Sequence, residues 1–134
     1  MNGAAARLRA RSCLAGALVV VALIGCAAAV PVQPAQLQPL SAPMPDLQIK
    51  DPFEIRLSTG YTRVVPVSSW RAVGRLPQGV VYRPLNTVFA IEGRQVHEAY
   101  LVLQANRLQG FYLPGESNFS PLTSPRNFNQ GERE

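Results

Sequence analysis

Proline placement constrains this chain more than any other feature of its sequence. Five of the 12 prolines fall at 31, 34, 39, 43 and 45, with glutamines 33, 36 and 38 between them. Each proline fixes φ and removes a backbone donor, so neither a helix nor a central strand suits the segment. Residues 27–52 therefore read as an extended, polyproline-rich spacer, which at about 3.1 Å per residue would reach roughly 75 Å. Docking of this tether into a partner groove is the sharper alternative.

Beyond the spacer, residues 53–122 predict a small all-β module. Turn residues recur at short intervals among β-branched and aromatic side chains. Phe53–Leu57 is a short strand closed by Ser58-Thr59-Gly60. Tyr61–Val67 follows, and Pro66 places its end at an edge or a strand terminus. Ser69–Arg75 stops at Pro77-Gln78-Gly79, and Val80–Arg83 stops at Pro84. The clearest pattern runs from Asn86 to Leu113. Thr87–Ile91 leads into Glu92-Gly93-Arg94, where Gly93 is expected to supply a positive φ. Gln95–Leu103 follows, then a turn at Gln104-Ala105-Asn106-Arg107 with Asn106 tolerant of the left-handed region, then Leu108–Leu113. These three strands predict an antiparallel meander forming a compact barrel or sandwich. Val96–Asn106 is the only helical competitor, and its Val, Tyr and Leu content favours a strand. The polar residues 123–134 are expected to be a disordered tail.

The middle strand of the meander sorts its side chains cleanly. His97, Ala99, Leu101 and Leu103 share one face; Val96, Glu98, Tyr100 and Val102 share the other. Both faces are largely apolar, so the strand is expected to be central and covered on both sides. Phe89 and Phe111 alternate as core positions should, while Tyr112 faces the other way, alongside Tyr100. Trp70, Arg71, Tyr100 and Tyr112 are the candidate partner-binding residues, because Trp, Tyr and Arg anchor protein interfaces. Core filling is the competing role for each aromatic. The segment 111–119 returns a Phe after Pro114-Gly115 and reads either as a capping loop or as a recognition loop.

The N-terminal residues speak to location. Arg7, Arg9 and Arg11 precede an uncharged stretch from Ser12 to Gly25 that ends in Leu23-Ile24-Gly25-Cys26. A positive region, an apolar region and a small-residue cleavage site make an export signal. Ending on Gly25-Cys26, the segment resembles the lipobox of bacterial lipoproteins. That resemblance covers only about the first 26 residues. It implies cleavage between Gly25 and Cys26, lipidation (palmitate included) at Cys26, and a membrane anchor. Ala27, in place of the Asp associated with inner-membrane retention, implies the outer membrane, with the chain facing the periplasm. The same residues also admit ordinary cleavage after Ala27-Ala28-Ala29, or an uncleaved helix over Cys13–Val32, long enough to span a bilayer but rich in Ala and Gly. All three put the remaining chain outside the cytoplasm. The expected organisation is a signal peptide over 1–25, an anchor and tether over 26–52, the β module over 53–122 and the tail.

Charge and chemistry narrow the function classes. Three of the 13 basic residues lie ahead of Cys26, leaving 10 basic against 8 acidic ones. The arginines are dispersed, so no nucleic-acid partner is expected. With Cys13 removed and Cys26 acylated, no thiol remains for a disulfide or a thiolate metal site, and one histidine excludes a multi-His site. His97 is expected to be structural rather than catalytic, and none of the serines sits in a Gly-x-Ser-x-Gly elbow. Glu92, Glu98 and Glu116 are the candidate carboxylates, but a module of about 70 residues offers little cleft for a glycan. No enzyme activity, metal or cofactor is expected. The expected role is that of a structural or adaptor component of an envelope assembly of the secretion, conjugation or pilus type. Peptidoglycan or lipid binding is the alternative. A filled core with an exposed aromatic–Arg face would favour a protein partner, and an open apolar pocket would favour lipid.

Overall fold

A computed structural model describes residues 28–127. The expected signal peptide over 1–25 and Cys26 lie outside the described residues, as does the chain after Asn127. The module is all-β and antiparallel, as expected. Its strands are β1 (Gln33–Pro34), β2 (Leu47–Ile49), β3 (Phe53–Arg56), β4 (Thr62–Val65), β5 (Ser68–Leu76), β6 (Gly79–Pro84), β7 (Ala90–Glu92), β8 (Val96–Glu98), β9 (Tyr100–Gln104), β10 (Arg107–Leu113) and β11 (Asn118–Asn127). Seven of them form one sheet in the order β1-β11-β10-β9-β6-β5-β2, and β3-β4 and β7-β8 form separate hairpins. The sheet does not close into a barrel; the arrangement is sandwich-like.

Alternation assigns the two faces. On the first, Trp70, Tyr82, Leu101, Leu103, Leu108, Phe111 and Leu113 pack under both hairpins, which contribute Ile55, Val65 and Ile91. On the second, Leu76, Val81, Val102, Tyr112 and Phe119 form a smaller cluster. The strand expected to be central is so: Leu101, Val102 and Leu103 of β9 are buried between β6 and β10. It is broken, however, at Ala99. The Ala99 amide donates to the Phe89 carbonyl at 2.9 Å, which turns β8 out of the large sheet and into its own pairing with β7. The three-stranded meander expected over 86–113 is therefore split between two sheets.

Residues expected to be a spacer are part of the folded body. Val30, Leu47 and Ile49 are buried in the first cluster. β1 pairs with β11, the Ala35 amide donates to the Ser117 carbonyl, and Gln38 exchanges two backbone bonds with Arg75 of β5. Ala35 and Leu37 pack on the second cluster. The segment thus starts beside the β7-β8 hairpin, passes the β11 edge, crosses the second face and returns along β5 as β2. Four strand spacings separate β11 from β5, about 19 Å in a flat sheet, whereas Ala35 to Gln38 can stretch only about 11 Å. The sheet must curl around this strap for both attachments to hold. Prolines here exclude helix, but they leave the intervening Leu47, Gln48 and Ile49 free to pair with Trp70, Ser69 and Ser68.

The other end of the chain also departs from expectation. Thr123–Asn127, read as the start of a disordered tail, continue β11, with Arg126 opposite Leu108 and Asn127 opposite Arg107. The Pro114–Ser117 segment is the turn of the β10-β11 hairpin, with Ser117 at a positive φ and the returning Phe119 opposite Tyr112. Gly93 corrects a further expectation: its φ is not in the left-handed region. A Cβ there would lie 2.7 Å from Val30 Cγ2 and 3.0 Å from the Ala28 carbonyl oxygen, so the site requires glycine for close approach.

Candidate functional site

Trp70 is the clearest failure among the predicted site residues. It is 1% exposed and belongs to the first face. Its indole packs edge-on against Phe89 at 5.6 Å, and Phe89 stacks on Phe111 at 6.2 Å. The Arg63 guanidinium lies 4.5 Å above the Phe89 ring. Trp70 Nε1–H donates to Ser68 Oγ, which donates in turn to the Pro66 carbonyl. This is a core anchor with its polar atom satisfied, not part of an exposed face.

The other three candidates come together on the second face. Neighbouring strands place Arg71 opposite Arg83, and Tyr100 opposite Tyr112. The β6-β9 register aligns Tyr82 with Leu101, which puts Arg83 next to Tyr100. A row therefore runs across four strands as Arg71, Arg83, Tyr100, Tyr112. Its two arginines are exposed, Tyr100 is half-buried and Tyr112 is buried. The tyrosine rings sit 6.2 Å apart at 46°. Like charges directly opposite each other repel, and Asp46 offsets this: its carboxylate accepts from Arg71 Nε at 3.3 Å and from Nη2 at 3.4 Å.

Beside this row lies an open groove of about 620 Å³ lined by residues 83–88 with Glu98 and Tyr100. Asn86 takes a φ of 60° to turn the chain along its floor. The Tyr100 hydroxyl is pushed above its usual pKa, first by burial and then by the Glu98 carboxylate, against an opposing pull from Arg83. Arg83 was not among the predicted site residues, and Glu98 entered only as a candidate carboxylate. Alternation along Val80-Val81-Tyr82-Arg83 shows that Arg83 faces away from Tyr82. Its partner, however, depends on the register of two strands separated by 15 residues, from Leu85 to Ala99.

His97 lies elsewhere. Its Nδ1 is 2.7 Å from Glu116 Oε1, tying the β7-β8 hairpin to the β10-β11 turn. Glu92 and Glu98 pair with Val96 and Ala90, two rungs apart on that hairpin, and both are exposed. Among the described residues no three His, Cys, Asp or Glu side chains group as a metal site. No described helix is long and apolar enough to cross a membrane. Comparison with protein-family models, curated proteins and solved structures found no match to this chain.

Proposed function

We propose that this chain is a bacterial lipoprotein, lipidated at Cys26, anchored in the outer membrane and facing the periplasm. Its β module serves as a structural or adaptor component of an envelope assembly. The observation that carries this reading is the run Leu23-Ile24-Gly25-Cys26 behind a basic and then an uncharged segment. The row Arg71, Arg83, Tyr100, Tyr112 supports a protein partner, since Tyr and Arg supply contact area and hydrogen bonds at interface centres. The neighbouring groove favours one other ligand class. Arg83, Asn86, Thr87 and Glu98 give it a polar lining suited to a sugar or short peptide, as in peptidoglycan, and unsuited to a lipid chain.

Crosslinking and affinity purification from membranes, with the intact protein beside a Cys26→Ala variant, tests both parts. A set of secretion, conjugation or pilus proteins recovered only with Cys26 intact is the expected result. Recovery of peptidoglycan with no protein would overturn the adaptor role and favour the groove as a glycan site. Equal membrane retention of the Cys26→Ala variant, with no palmitate on the parent, would overturn lipidation.

A further inference from the structure

We propose that the turn of the β7-β8 hairpin lies in the headgroup layer of the bilayer, held there by the short chain from Cys26 rather than carried away on a tether. The proposal rests on the lipoprotein reading. Its ground is where the folded chain begins. Val30 is 6% exposed and packs in the main core. The Ala28 carbonyl and the Val30 side chain press on Gly93 so closely that a Cβ at 93 would not fit. Cys26 is two residues from Ala28, a reach of at most about 7 Å. The polar layer on each side of a bilayer is about 5–7 Å thick. With acyl chains on Cys26 in the hydrocarbon, that reach holds Ala28 within the polar layer or at its outer boundary, and the turn packed against it is held there too.

The side chains at this end fit that position. Val96 is 67% exposed and Val32 48%, and they stand on either side of the hairpin. Exposed valines suit the headgroup boundary, but Val64, Val67 and Val88 are comparably exposed elsewhere, so these two permit the placement without selecting it. Charge adds little, because Arg94 and Glu92 share the turn and oppose one another. The short chain from Cys26 and the packing of Ala28 and Val30 on Gly93 therefore carry the argument. The Gln104–Arg107 turn lies at the far end of β9 from this hairpin, pointing into the periplasm. The aromatic–Arg row is held close to the membrane as a result, so a partner meeting it must itself approach the bilayer.

The experiment uses the full chain, purified with its anchor and reconstituted in phosphatidylethanolamine–phosphatidylglycerol vesicles. Signal removal and lipidation leave no native thiol, so a fluorophore placed through Val96→Cys or Gln104→Cys is unique. Both positions are exposed. Lipids carrying a nitroxide on the headgroup should quench the probe at 96 several-fold more than the probe at 104. A flexible 20-residue Gly/Ser insertion between Ala27 and Ala28 keeps the residue after Cys26 and should bring the ratio close to one. Equal quenching at both sites in palmitate-labelled protein would overturn the placement while leaving the lipoprotein reading intact. A ratio unchanged by the insertion would overturn the role of the short chain. Absence of palmitate would overturn both readings together.

Discussion

Left-handed backbone at Ala105 is a cost the fold bears for a tight turn. Gln104 pairs with Arg107, and the two residues between them, Ala105 and Asn106, take φ values of 51° and 63°. Positive φ at both central positions gives a two-residue hairpin the twist its strands need. Asn tolerates this region, but alanine's Cβ meets the following carbonyl, at about 1–2 kcal/mol. Ala105→Gly removes that clash and loosens the unfolded chain by a smaller amount. The expected net gain is about 0.5–1 kcal/mol, read as a higher denaturant midpoint with an unchanged slope. Tyr100 supplies a second test at this scale. Its pKa is raised above 10.0 in the folded state, so folding favours the protonated phenol. Below pH 10 the contribution is fully present. As pH rises through the folded value, the unfolded chain has already released its proton and the contribution disappears. Tyr100→Phe should therefore remove one late-ionising tyrosine from an alkaline absorbance titration and flatten the loss of stability above pH 10.

At the scale of elements, the question is whether 28–49 belong to the module. Leu47 and Ile49 are buried against Trp70 and its neighbours. Leu47→Ala should cost about 2–4 kcal/mol in chemical unfolding, the usual loss for a buried leucine. In a solvated spacer it would cost close to nothing. The same comparison shows what the sequence disclosed. Strands bounded by turn residues and showing alternation were legible, as were the two faces of β9, the Phe89–Phe111 core pair and the Tyr100–Tyr112 pair. The strap was not. Prolines at 31, 34, 39, 43 and 45 correctly exclude helix and interior strand, yet proline spacing says nothing about a surface the segment can lie on. Leu37, Leu47 and Ile49 were the available signal, being apolar residues that a free polar spacer does not need. The break at Ala99 escaped because 95–103 alternates without interruption; only the competing bond to Phe89 divides it. Trp70 was misassigned because a lone tryptophan beside an arginine suits a core and an interface equally. Its place follows from β5 pairing, which fixes the side it faces. Thr123–Asn127 run on as strand because Pro121 and Pro125, which with polar neighbours resemble a tail, are equally suited to the stretch of β11 that lies beyond its pairing with β1 and has an open edge.

For the molecule as a whole, the strap divides the second sheet face into two territories. Ala35 and Leu37 cover the apolar part, and Arg71, Arg83 and Tyr100 remain accessible in the rest. A partner bound there would meet charge at Arg71 and Arg83 and the half-buried ring of Tyr100, with Tyr112 buried behind it. Tyr100 sits at the junction, and Asp46 already occupies Arg71. Arg83 and Tyr100 are therefore the residues whose loss should matter most to binding. The double variant Arg83→Glu, Tyr100→Ser keeps both strands and leaves the Trp70 core untouched. If the row is an interface centre, the variant should bind its membrane partner about 30-fold more weakly, corresponding to about 2 kcal/mol. Its unfolding midpoint should fall only modestly, because Arg83 is exposed and Tyr100 packs on the rim of the second cluster rather than in the main core. Trp70 fluorescence distinguishes the two effects, since its buried indole reports the core and not the row. Parent-like emission with lost partner recovery identifies the face as the binding surface. Parent-like emission with undiminished recovery moves the interface elsewhere, to the free edge of β11 or the β7-β8 hairpin end.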